Sequence, residues 1–278
     1  MKIGIRLHDA AGSTLPERLE NAKKQGFTCG HLALTKAAAE NSTADGALTP
    51  GYAAYVKKLF AQQDMDIAVL GCYLNLGNPN PEQQKEILHH YMAHIRFASW
   101  LGCGVVGTET GAPNEQYQTG PECRSEEAFQ IFLSNMRKVV EYAEKMGVVV
   151  GMEPVCTHIV YSAQRARRVL DEIASPNLQI ILDPVNLIPD EEYSRAPEII
   201  REAIRILGED VAVVHIKDFE IADGKVKAVA AGTGRMDYTD LMRFIKEQKP
   251  YVYATLEDTV PENAEQARRK MQELWEKA

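Results

Sequence analysis

Four side chains in the second half of the chain are of the types that hold a divalent cation: Glu153, Asp183, His215 and Glu257. Three carboxylates and one imidazole supply oxygen plus a single nitrogen. That donor set suits Mn²⁺, Co²⁺, Mg²⁺ or Zn²⁺ and lacks the thiolates that favour soft ions. Each of the four closes a short apolar run. Val148–Val155 reads Val-Val-Val-Gly-Met-Glu-Pro-Val, and the proline at 154 pushes Glu153 towards extended backbone. Ile180-Ile-Leu-Asp183-Pro, Val211-Ala-Val-Val-His215 and Tyr251-Val-Tyr-Ala-Thr-Leu-Glu257 repeat the event. One acidic residue at the end of a strand is usually a turn former or a helix cap. Four such groups ending four consecutive strands point instead to one shared ion. Packed together, the three carboxylates would repel strongly unless a cation, protons or basic side chains offset them.

The elements that must carry these residues alternate along the whole chain. Apolar runs without polar alternation, as at Val148–Val155, suggest strands covered on both faces, as in parallel sheets. The expected strands are Lys2–Leu7 (closed by His8), Thr28–Leu34, Asp66–Leu70, Gly104–Glu109, Val148–Val155, Gln179–Asp183, Val211–His215 and Val252–Glu257. Between them lie helical patterns at Leu15–Gln25, from Thr49-Pro50 through Phe60, from Asn78-Pro-Asn-Pro81 to Leu101, and from Ser125 to Met146. Four more follow at Ser162–Ala174, Pro197–Leu207, Tyr238–Gln248 and Glu262–Lys277. Proline in the first turn, glycine after the last and Ser125 before Glu126 and Glu127 are ordinary start and stop signals. Ala37–Pro50 reads as a loop. Eight strands alternating with eight helices predict a single (β/α)₈ TIM barrel domain over residues 1–278. The four candidate ligands are separated by 30, 32 and 42 residues, and one βα unit takes roughly 30. A doubly wound sheet would set them in a row along an open edge; a barrel gathers them around one mouth.

The bulk numbers fit. At 278 residues with 45% hydrophobic and 25% charged side chains, the composition is that of an ordinary globular protein. Net charge is −8, which opposes an extended polyanion, so no nucleic-acid partner is expected. No run reaches the roughly 18 consecutive apolar residues that a membrane helix needs. The first residues enter a strand without a cleavable signal pattern. Cys29, Cys72, Cys103, Cys123 and Cys156 are odd in number and lack CxxC pairing, which predicts reduced thiols and a cytoplasmic protein.

Glu at the fifth strand, Asp-Pro at the sixth, His-Ile-Lys-Asp at the seventh and Leu-Glu-Asp at the eighth resemble the xylose-isomerase-like barrel superfamily. That group includes sugar isomerases, ketose 3-epimerases, hydroxypyruvate isomerase, inosose dehydratase and apurinic endonucleases. Gly232-Thr-Gly-Arg-Met-Asp237 is similar to the group's Gly-x-Gly-x-x-Asp turn. The resemblance implies that Glu153, Asp183, His215 and Glu257 bind one divalent ion, with manganese expected first. It implies a metal-dependent isomerase or epimerase acting on a sugar or related keto-polyol. The metal would polarise a carbonyl and the adjacent hydroxyl, and the reaction would pass through an enediolate. Glu153 and Glu257 would remove and return the proton. Proton return to the opposite face gives epimerisation, and return to the neighbouring carbon gives aldose–ketose isomerisation.

The sugar-orienting positions of ketose 3-epimerases depart from the pattern, with Ile159, Asn186 and Ile221 in place of Glu, His and Arg. A free ketohexose is therefore a poor fit. An apurinic endonuclease would need a His where Asn186 stands and an Asp-x-His where Ala228-Val-Ala230 stands. The rivals that remain are an inosose-dehydratase-like lyase and a non-catalytic barrel that binds a metabolite. His8, Glu109, His158, Asn186 and Lys217 are the candidate substrate contacts. Tyr73 reads as core packing, and Asp218 as a residue that orients a neighbour or caps a turn. Homo-oligomerisation is compatible with this architecture, although no patch in the sequence identifies an interface.

Overall fold

The structure, a computed structural model, describes residues Met1–Ala278. Eight parallel strands close into a barrel: β1 (Lys2–Arg6), β2 (Cys29–Leu32), β3 (Asp66–Gly71), β4 (Val105–Glu109), β5 (Val149–Glu153), β6 (Leu178–Leu182), β7 (Val211–Ile216) and β10 (Tyr253–Leu256). Between β7 and the last strand, β8 (Asp218–Ala222) and β9 (Lys225–Val229) form a separate antiparallel hairpin. The helices are α1 (Leu15–Lys24), α2 (Leu34–Ala37), α3 (Pro50–Gln62), α4 (Pro81–Leu101), α5 (Glu126–Met146), α6 (Ala163–Ile173), α7 (Ala196–Leu207), α8 (Thr239–Gln248) and α9 (Ala264–Lys277). None of them is long and apolar enough to cross a membrane.

Local signals fix where the helices begin and end. Thr14 and Glu17 make a reciprocal capping box at α1, and Asn80 accepts from the amides of Glu82 and Gln83 ahead of Pro81 at α4. Ser125 and Ser162 cap α5 and α6 in the same way. Gly102 and Gly147 end α4 and α5 in the left-handed region, which glycine enters without a Cβ penalty.

Two cores result. The outward faces of the strands pack against the helices in one large apolar layer. The barrel interior is a small, separate cluster built on Cys29, Val69, Ile181 and Val213. Strand side chains alternate between faces, so this inner set fixes which residues point into the lumen. Gly107 and Gly151, paired across β4 and β5, make room for the Ile181 side chain. A Cβ on Gly107 would lie 2.9 Å from Ile181 Cδ1, and one on Gly151 would lie 2.8 Å from Ile181 Cγ1. Two residues further along each strand, the same alternation directs Glu109, Glu153, Asp183 and His215 inward above this plug. Arg6, His31 and Glu257 follow from Gly4, Cys29 and Thr255 by the same step.

Three expectations change. The second strand stops at Leu32, and Leu34 begins α2 rather than ending a strand. The first strand ends at Arg6, and His8 sits in a short 3₁₀ turn over Leu7–Asp9. The third change is the β8–β9 hairpin, which accounts for the longer gap between His215 and Glu257. Its turn is Asp223-Gly224, both at positive φ (52° and 74°), the pair expected of a type I′ hairpin turn.

Because Ile181 fills the floor beneath the mouth, Ile181→Ala should lower the free energy of unfolding by about 2–5 kcal/mol. Urea unfolding against the parent protein measures this; a change below 1 kcal/mol would show that the inner plug does not carry the barrel.

Candidate metal centre

Glu153, Asp183, His215 and Glu257 are all buried and come from β5, the turn after β6, β7 and the residue after β10. One donor atom from each lies within 4.8 Å of the other three. His215 Nδ1 is 3.3 Å from Glu153 Oε1 and 3.2 Å from Glu257 Oε1. These approaches are close without being aligned as hydrogen bonds: both ring nitrogens of His215 are buried with no hydrogen-bond partner. Leaving such atoms unpaired in the interior costs about 1–3 kcal/mol each. Lone pairs from four side chains that crowd one point without satisfying each other fit a divalent cation, and the oxygen-rich set with one imidazole fits a Mn²⁺, Mg²⁺, Co²⁺ or Zn²⁺ ion.

Neighbouring groups hold the donors in place. The other oxygen of Asp183, Oδ1, accepts from the amides of Val185 and Asn186 (3.0 and 3.2 Å), which aims Oδ2 at the centre. The Asn186 side-chain amide donates to Glu153 Oε1 at 2.8 Å, so Asn186 orients a carboxylate of the cluster. Lys217 Nζ stands 2.9 Å from Asp183 Oδ2 and 3.6 Å from Glu257 Oε2. Arg6 spans Asp9, Asp258 and Glu257 at 3.0, 3.0 and 3.6 Å.

Charge and burial oppose each other throughout. Burial pushes Asp183 up to about 6, with Glu153 and Glu257 adding to the rise and Lys217 resisting it. Burial also disfavours charge on Glu257, but His215, Lys217, Arg6 and His31 outweigh it and hold this carboxyl below the usual range. The His215 imidazole, although desolvated, is raised to about 9 by Glu257 and Glu153. Lys217 is desolvated too, and its acidic neighbours raise it nonetheless.

The other expected contacts form two groups beside this cluster. Glu109 pairs in register with Glu153 across β4 and β5. Its Oε2 accepts from the Tyr117 hydroxyl at 3.2 Å and lies 3.8 Å from His158 Nδ1. Burial raises the Glu109 carboxyl and lowers His158 to about 4, so this imidazole is neutral near pH 7. His8 lies 4.0 Å from Asp9 and is lowered to about 4 by burial, Arg6 and Lys36. Asp218 holds a turn, as expected. Its carboxylate accepts from the amides of Phe219, Gly232 and Met236, fastening the Gly232–Asp237 loop beneath the hairpin.

A family model for the xylose isomerase-like TIM barrel matches residues 19–277. This chain belongs to that family. Among proteins of known activity, the xylose isomerase-like chain is 30% identical over 135 residues to 3-oxo-isoapionate decarboxylase of Pectobacterium atrosepticum, a match spanning 46% of this chain and 46% of that protein. Among solved structures, a D-tagatose 3-epimerase-like protein superposes with a TM-score of 0.78 at 20% identity, covering 99% of this chain and 97% of the other. The IOLI protein with a bound zinc atom gives 0.78 at 17% identity, covering 100% and 99%. At these identities the structural likeness establishes the fold of the xylose isomerase-like chain.

Sequence reasoning missed two residues of the mouth, Arg6 and His31, and assigned a third, Tyr73, to core packing. His31 stacks on His215 with ring centroids 5.1 Å apart, and its Nε2 meets the Tyr73 hydroxyl at 3.0 Å. Gly71 leaves space for that bond, since a Cβ there would lie 2.8 Å from His31 Nε2. The available signal was alternation: Arg6 follows Gly4, and His31 follows Cys29, on the lumen face of their strands.

Lys217 is the only ammonium within 4 Å of Asp183. Lys217→Met should therefore destabilise the protein by about 3–5 kcal/mol in the presence of a chelator, because it strands buried carboxylates. Denaturant unfolding checks this; an unchanged midpoint would show that Lys217 does not balance the cluster.

Proposed function

We propose that this barrel is a divalent-metal-dependent enzyme that isomerises or epimerises a sugar or related keto-polyol by moving a proton next to a carbonyl. The observation that carries this reading is the convergence of Glu153, Asp183, His215 and Glu257 on one buried point at the mouth of the barrel. Those four residues would hold the ion, with manganese the first choice and cobalt, magnesium or zinc compatible with the same donors. A bound divalent ion supplies Lewis acidity to a carbonyl and the adjacent hydroxyl oxygen, acidifying the C–H between them.

The remaining chemistry falls to side chains. Glu153 and Glu257 flank His215 Nδ1 from two different strands, so a substrate carbon between them can lose a proton to one and regain it from the other. Asn186 occupies Glu153 Oε1 and leaves Oε2 free of a protein donor, which makes Oε2 the proton-accepting oxygen. Lys217 and Arg6 face the position where negative charge develops on the substrate oxygens and offset it there. Glu109 and His158 on one side, and His8 on the other, are placed to take the hydroxyl groups of a polyol. Asn186 can share such a contact through its amide oxygen.

Decarboxylation of a 3-keto acid is a second reading. It is supported by the buried Lys217 and the half-buried Arg6, which suit a substrate carboxylate, and by the partial likeness to a decarboxylase. Loss of CO₂ from such an acid leaves the same delocalised charge as loss of a proton. The two reactions therefore draw on one set of residues.

The test is to strip the protein with a chelator, reload it with Mn²⁺ and incubate it in D₂O with keto sugars, inososes and 3-keto acids. Deuterium incorporation beside the carbonyl, dependent on reloading, supports the isomerase or epimerase; release of CO₂ supports the second reading, and loss of water a dehydratase. Absence of all three would overturn catalysis and leave a binding role. Glu153→Gln and Glu257→Gln should each lower turnover by about 10²–10⁴-fold. Near-normal turnover in Glu257→Gln would refute the two-carboxylate scheme.

A further inference from the structure

Outside the barrel mouth, a second set of ligand-type side chains converges between β3 and α4. Cys72 follows β3 directly, and His90 and His94 stand one turn apart on α4. One donor atom from each of the three lies within 4.8 Å of the other two. Two histidines at i and i+4 on one helix face, joined by a thiol, are a recurrent arrangement for a zinc-type ion.

The surroundings decide which nitrogens are available. His90 Nδ1 meets Asp45 Oδ1 at 2.5 Å, and a carboxylate can only accept, so this nitrogen carries the proton. His94 Nδ1 donates to the backbone carbonyl of His90 at 3.0 Å for the same reason. With Nδ1 engaged as a donor in both rings, Nε2 is the nitrogen each has left for a metal. An outer carboxylate or carbonyl that takes the Nδ1 proton is the partner a metal-bound histidine ordinarily has. The rings lie 4.4 Å apart. Burial and His90 lower His94 to about 4, so it is uncharged at neutral pH. Cys72 is a free, buried thiol. His90 and Asp45 remain partly exposed, with side chains 27% and 43% accessible, and give an ion a path from solvent.

We propose that Cys72, His90 and His94 form a second metal site that takes Zn²⁺ or a similar ion through one thiolate and two imidazole nitrogens, with Asp45 positioning His90. Binding releases the Cys72 proton to solvent and forms a metal–sulfur bond; no redox change is involved. Three protein donors leave the fourth tetrahedral position to water. The ion would tie the end of β3 and the turn carrying Asp45 to α4. Cys72 adjoins Tyr73, whose hydroxyl meets His31 in the mouth, so the staple would sit one residue from a wall of the candidate centre.

This site does not depend on the proposed activity, and its test is spectroscopic. The full chain, reduced and stripped with a chelator, is titrated with Co²⁺. Only a site with a cysteine ligand gives a thiolate-to-cobalt charge-transfer band in the near ultraviolet, and the oxygen-rich mouth cannot. The expected result is a band that is saturated by two equivalents at most, one for each centre, removed by Zn²⁺, absent in Cys72→Ser, which takes up one equivalent less cobalt, and at least tenfold weaker in apparent affinity in His90→Gln. No band in the parent protein, or one that persists in Cys72→Ser, would overturn the proposal. His90→Gln, at the partly exposed end, covers the case in which Cys72→Ser fails to fold; unchanged cobalt affinity there would also overturn it. Cobalt uptake without the band supports the mouth alone and refutes this second site.

Discussion

Three buried carboxylates share the mouth of this barrel, and their mutual repulsion is the constraint around which its neighbours are arranged. Asp183, Glu153 and Glu257 each lie at or beside the end of a different strand, in a region where water screens poorly. Lys217, Arg6 and the His215 imidazole face them from three directions. The cluster is sustained by those cations and by directed donors, namely the two amides on Asp183 and the Asn186 side chain on Glu153. A site balanced in this way can take an added positive charge among its carboxylates.

Strand alternation converts this local balance into architecture. The inner plug of Val69, Ile181 and Val213 selects the lumen face, and the next residues on that face form the mouth. The glycines at 107 and 151 are part of the same arrangement, because their missing side chains let Ile181 seat beneath Glu109 and Glu153. The ionisable residues therefore need no long loops to meet. Closing the sheet brings them together.

The barrel and its ring of ligand-type residues were readable in the sequence because apolar runs ending in Glu153, Asp183, His215 and Glu257 recur at βα spacing. Positions within strands were harder to read. Arg6 and His31 look like isolated polar residues until the closed sheet shows which face is inside, and pairing between distant strands is what a linear reading lacks. The β8–β9 hairpin was overlooked although Asp223-Gly224 is a turn pair flanked by alternating residues. The expectation of a plain βα unit absorbed it into a loop. Cys72 and His90 are far enough apart in sequence that only the folded chain, which sets α4 beside the residue after β3, unites them.

The hairpin has a consequence for handling the molecule. Its base is the Lys217–Asp218 pair, one residue serving the cluster and the next fastening the loop through Asp218, while its tip at Asp223-Gly224 points away from other backbone, with open space around Gly224. The amide of Val226 donating to Asp190 and the amide of Arg235 donating to the Phe219 carbonyl hold the arm sideways. The tip thus tolerates inserted sequence by the ordinary rules for exposed turns. A fluorophore or peptide tag grafted there would ride on an arm rooted next to Lys217, a reporter coupled to the mouth of the barrel without entering it.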